Sequence, residues 1–98
     1  MNIYSFELSE KPFEHPIVCS FNAIYAQNKK DAKKRIIKWL HTIYDFREDE
    51  ITYFDDSFDF DIYQIVTGLR IEVGSITICT LDQLKSKLVE RYMIKEVK

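Results

Sequence analysis

At Asn28 the hydrophobic spacing of this chain changes period, and that change limits what the chain can become. Before it, Ile3–Leu8 alternates, with Tyr4, Phe6 and Leu8 on one side and Ser5 and Glu7 on the other. Ile17–Ala26 is also β-rich, with Cys19, Phe21, Ala23 and Tyr25 on one face. Such alternation marks strands, because successive side chains point to opposite faces. Ser9–Pro12 and His15-Pro16 interrupt it, so two antiparallel strands joined by a loop near residues 10–16 are expected. Asn28 is a natural N-cap, and from Lys29 the period becomes helical. Ala32, Ile36, Ile37, Trp39, Leu40, Ile43, Tyr44 and Phe46 then fall on one half of the helical wheel. That arc is wider than contact with one sheet requires. Ile36 and Ile43 are expected on the sheet. Ile37 and Tyr44 would meet something else, either a second helix of the same chain or a second copy in a homodimer.

Beyond the helix, Ile51–Phe54 is a short strand candidate, and Phe58–Ile62 alternates strictly with its carboxylates outward. Gly68 marks a turn. Leu69, Ile71 and Val73 alternate with Arg70 and Glu72, and Gly74-Ser75 then interrupts the pattern as either a bulge or a tight hairpin before Ser75–Cys79 resumes it. Thr80 and Gln83 form a capping box, and Leu81, Leu84 and Leu88 follow at helical spacing to about Glu90. Met93–Val97 reads as a last strand. The expected fold is α+β, a single domain over residues 1–98. It has a mainly antiparallel sheet of about five strands and two helices on one face, a ferredoxin-like variant.

Ninety-eight residues build one core, and the six tyrosines, seven phenylalanines and one tryptophan of this chain enlarge it and leave aromatics for the surface. No apolar run approaches the roughly 18 residues of a membrane span, and the N-terminus lacks a basic, apolar leader pattern. Cys19 and Cys79 make no disulfide framework. A cytoplasmic location is the expectation.

Charge is segregated along the chain. Residues 27–47 carry seven basic residues against two acidic ones, whereas residues 48–61 carry seven acidic residues and no basic one. The two blocks either neutralise each other or present a single-sign surface to a partner. The acidic block supplies the first candidate contact set, Tyr53, Asp55, Asp56, Asp59 and Asp61. Spaced carboxylates on a strand held by Phe58 and Phe60 can imitate a phosphate backbone. The helix supplies the second set, Lys30, Lys34, Arg35 and Lys38, a face suited to phosphates, although a pI of about 5.6 is not that of a typical nucleic-acid-binding domain.

No residue set predicts catalysis, a cofactor or a metal. His15 and Cys19 lack zinc spacing, and Asp55–Asp61 lacks the glycine and terminal glutamate of a calcium loop. There is no nucleophile elbow and no glycine-rich phosphate loop.

Two stretches resemble known proteins. Ala23-Ile24-Tyr25-Ala26-Gln27-Asn28-Lys29-Lys30-Asp31-Ala32-Lys33-Lys34 is similar to the strand-to-helix opening of small phage and mobile-element accessory proteins. Ile76-Thr77-Ile78-Cys79-Thr80-Leu81-Asp82-Gln83-Leu84 is similar to their closing strand and helix. Several anti-CRISPR proteins resemble this chain in the same way. The resemblance carries over no functional residue. It implies a stoichiometric inhibitor that binds a nuclease or effector complex in a bacterial host, without turnover. The alternative is a small nucleic-acid-binding regulator using helix 29–38.

Overall fold

Two ten-residue strands carry the sheet. In a computed structural model that describes residues 1–54 and 58–92, β1 (Asn2–Lys11) pairs on one side with β2 (Val18–Ala26) and on the other with β5 (Arg70–Cys79). β4 (Phe60–Tyr63) joins β5, and β3 (Ile51–Tyr53) closes the far edge. The order is β2-β1-β5-β4-β3, and every neighbouring pair is antiparallel. Helix α1 (Lys29–Leu40) connects β2 to a short 3-10 turn, Glu48–Glu50, and α2 (Leu81–Tyr92) follows β5. The chain is therefore an α+β protein with a five-stranded antiparallel sheet and two helices, as its patterning predicts. The expected strand Met93–Val97 lies outside the described residues.

One face of the sheet makes the core. Tyr4, Phe6, Leu8, Ile51, Phe60, Ile62, Ile71, Val73 and Ile76 are buried there beneath Ala32, Ile36 and Leu40 of α1. Trp39 meets Phe6 edge-on, with ring centroids 6.0 Å apart. Keeping both Val73 and Ile76 inward needs one extra residue, because strict alternation would turn one of them out. The structure resolves Gly74-Ser75 as a bulge, not a hairpin. Glu7 faces Gly74 while Ser5 faces Thr77, so Phe6 opposes two residues of β5. Ser75 takes a left-handed φ of 55°, the twist that accommodates the extra residue.

Asn28 caps α1 as expected, accepting the Asp31 N–H at 2.8 Å. The helix stops at Leu40, short of the apolar period. The Ile43 and Tyr44 amides both bond to the Leu40 carbonyl, and Thr42 Oγ1 donates to the Trp39 carbonyl at 2.6 Å. This tight turn changes the contacts predicted from the wheel. Ile43 is 52% exposed instead of lying on the sheet, while Phe46 returns to the core through the loop. Tyr44 is half-buried beside Glu10, and burial together with that hydrogen bond pushes its phenol well above the usual range.

The second helix corrects the expected layering. Lys87 of α2 donates to Ser5 Oγ at 3.3 Å and lies 6.0 Å from the Phe21 ring centroid. Ser5 alternates with Phe6, and Phe21 is the register neighbour of Glu7, so α2 contacts the reverse face. The sheet bears one helix on each side, not two on one face as in the ferredoxin-like arrangement. The capping box at its start is present, with Thr80 N–H donating to Gln83 Oε1 and Gln83 N–H donating to Thr80 Oγ1.

Candidate binding surface

Helix α1 is electrostatically unfavourable by itself. Its twelve residues carry six cations against one carboxylate, Asp31. Lys29 and Lys30 occupy its first turn, where the macrodipole disfavours positive charge. The i,i+4 pairs Lys29/Lys33, Lys30/Lys34 and Lys34/Lys38 repel, at about 0.2–0.5 kcal/mol each. Asp31 offsets part of this. It accepts from the Gln27 amide at 2.9 Å and from Arg35 Nε at 2.9 Å, contacts that hold its carboxyl below the usual range. Among the described residues, none of Lys30, Lys34 and Lys38 joins an ion pair.

Two open grooves flank this helix. Lys30, Lys33, Lys34, Ile37, Glu48 and Tyr53 line one of about 400 Å³. Ile24, Asp31, Arg35, Lys38, Trp39 and Thr42 line the other, of about 560 Å³. In the first, Lys33 Nζ sits 4.8 Å from the Tyr53 ring centroid, and the Tyr53 hydroxyl donates to Glu48 Oε1 at 2.9 Å. Lys29 and Lys33 each approach the Phe58 ring to 5.8 Å. The groove thus combines ammonium groups with an aromatic wall and an aliphatic floor.

The acidic contact set is not one surface. Tyr53 pairs with Phe60 and lies on the α1 side of the sheet. Asp61 pairs with Glu72 on the reverse side, and Asp59, two residues along, lies against Gly74 there. Asp55 and Asp56 lie outside the described residues. Partial burial and then the nearby Glu72 raise the Asp61 carboxyl above its usual range, against the pull of Arg70 and Lys11. Lys11 Nζ binds Glu72 Oε1 at 2.7 Å.

The rest of the acidic block serves the fold. Glu50 Oε1 accepts the Arg47 amide at 2.9 Å and Oε2 accepts the Ile65 amide at 2.8 Å, tying the 3-10 turn to the β4–β5 connection. Arg47 Nε pairs with Asp49 at 3.1 Å. The two charge blocks therefore meet through Arg47 and through Lys29 and Lys33 on the Tyr53 and Phe58 rings, while Lys30, Lys34 and Lys38 remain exposed. The two amides hold the Glu50 carboxyl below its usual range. A depressed folded value means that this stability is present above the unfolded value and is lost as pH falls through the folded one. Melting curves from neutral pH to about pH 3 should show wild type losing stability more steeply than Glu50→Gln below about pH 5. Parallel curves would show that Glu50 has no such role.

Among the described residues, no group of His, Cys, Asp and Glu could hold a metal ion, and no helix is long and apolar enough to cross a membrane. Cys19 is exposed and Cys79 buried, both as free thiols. Comparison with protein-family models, with curated proteins and with solved structures returned no match.

Proposed function

We propose that this chain is a non-catalytic protein-binding module whose basic α1 face docks on an acidic segment of a protein partner. The observation that carries this is a helix with six cations and one carboxylate, whose Lys30, Lys34 and Lys38 find no ion-pair partner among the described residues. The dipole disfavours Lys30 in the first turn, and the pairs Lys30/Lys34 and Lys34/Lys38 repel, so the fold gains little from holding these cations in one row. Charge of one sign speeds encounter, and the Tyr53–Ile37 groove beside it offers aromatic and aliphatic anchoring.

The finer proposal is a stoichiometric inhibitor of the anti-CRISPR type, acting in the bacterial cytoplasm on a host nuclease or effector complex. Its support is the strand–helix pattern at residues 23–34 and 76–84. Nuclease cleavage undiminished by excess chain, across the main RNA-guided effector types, would remove it.

The second reading is nucleic-acid binding through the same helix, favoured by the linear row Lys30, Lys34, Lys38. A net charge of −2 and the carboxylates of the reverse face weigh for the protein partner. Fluorescence anisotropy decides between them, with a labelled acidic peptide containing an aromatic residue and a labelled DNA duplex, each at low and high salt. Saturable peptide binding that weakens with salt supports the first reading. Salt-sensitive duplex binding without peptide binding supports the second, and binding of neither removes α1 as the docking surface.

A further inference from the structure

The β3–β4 edge hangs on one short seam. β4 meets β5 through four residue pairs, Phe60/Val73, Asp61/Glu72, Ile62/Ile71 and Tyr63/Arg70, and in the sheet β3 is attached through β4 alone. Three of these pairs suit a ladder. Phe60/Val73 and Ile62/Ile71 are apolar and buried, and Arg70 lies 5.6 Å from the Tyr63 ring centroid. The fourth, Asp61/Glu72, sets two carboxylates directly opposite each other, which weakens an antiparallel pair.

The charges around that pair do not cancel. Asp61 is faced by Glu72 and Arg70 of β5, by Lys11 of β1 and by Asp59 of its own chain segment, while its β3 partner, Thr52, carries no charge. Lys11 Nζ is bonded to Glu72 Oε1 at 2.7 Å. Among the described residues no ion pair includes Asp61. Asp61 and Glu72 are both half-buried, so salt and water screen their repulsion less than on an open face.

We propose that this pair is an acid-operated catch: one proton taken up from solvent by Asp61 turns the repulsion into a carboxyl–carboxylate hydrogen bond to Glu72 and tightens the β3–β4 edge on β5. That edge carries Tyr53, one wall of the lysine groove, so the catch sets how firmly the wall is held. It is a property of the fold and stands whether or not α1 docks on a partner. Burial first, and Glu72 second, favour the neutral form of Asp61. A raised folded value makes the stabilisation complete below the unfolded value of about 3.9 and removes it as pH rises through the folded one. The effect is opposite in sign to that of Glu50.

Carbon-13 titration of the side-chain carboxyls in the wild-type chain reads the pairing. The Asp61 midpoint should lie above about 3.9 and should fall in Glu72→Gln. Hydrogen exchange of the β3 and β4 amides reads the consequence. At neutral pH Asp61→Asn should exchange more slowly than wild type, by up to about 5-fold, the size of one cross-strand pair. The difference should vanish towards about pH 3, where wild type holds its proton. Comparing the two chains at each pH cancels the intrinsic pH dependence of exchange and the contribution of Glu50. An Asp61 midpoint at or below about 3.9, or one unmoved by Glu72→Gln, overturns the pairing. An exchange ratio that stays the same from neutral pH to about pH 3 overturns the catch. Neither readout involves an acidic peptide, so this inference and the docking reading fail separately.

Discussion

Lys30→Glu is expected to stabilise the fold and to weaken its binding at the same time. The new carboxylate sits in the first turn of α1, where the macrodipole favours it by about 0.3–1 kcal/mol. It also turns repulsion from Lys34 into an i,i+4 attraction, so the gain is about 1 kcal/mol in all. For a domain of this size that corresponds to a melting temperature higher by about 4–8 °C. The same substitution removes one cation from the docking row. Reversing Lys30, Lys34 and Lys38 together should cost at least about 100-fold in affinity for an acidic peptide, or roughly 3 kcal/mol. Opposite signs for stability and binding are the mark of a surface kept for function. If Lys30→Glu lowers the melting temperature, or the triple variant binds as before, α1 is an ordinary solvated helix.

Phe60→Ala is expected to be the most destabilising single truncation. Phe60 is fully buried, opposite Val73 on one side and Tyr53 on the other, in a strand of only four residues. Emptying such a site costs about 3–5 kcal/mol, transfer and cavity together. Against a typical total of about 5–15 kcal/mol, this would leave the protein marginal or unfolded. β3 is joined to the sheet through β4, so partial loss should appear first at Tyr53 and its hydroxyl contact with Glu48. Urea denaturation gives the total, and hydrogen exchange of the β3 amides in low urea reports the local change. A loss below about 1.5 kcal/mol would place Phe60 at a site able to collapse around the deletion.

The parts of this fold that depend on neighbours in sequence could be read in advance. Asn28 and the Thr80–Gln83 box announce their helices because a cap acts within four residues. The bulge was visible as a slip of phase, from Leu69, Ile71 and Val73 to Ile76 and Ile78, with only its alternative to a hairpin left open. The end of α1 was hidden. Residues 41–47 contain no glycine or proline, and Ile43, Tyr44 and Phe46 continue the helical period although a tight turn places them. The face taken by α2 was also hidden, because one apolar stripe fits either side of a sheet. The split of Tyr53 from Asp59 and Asp61 needed the β3–β4 register. Once Tyr53 opposes Phe60, the carboxylates alternating with Phe60 must lie behind it.

The placement of β1 also bears on how the chain is made. Its inner neighbour is β5, and the Ser5–Thr77 contact spans 72 positions. A chain emerging from the ribosome can close the β1–β2 hairpin early, but Phe6 and Leu8 keep one unpaired flank until β5 has been made. Closure over so long a loop slows folding. During translation the nascent hairpin is the segment with most need of a chaperone.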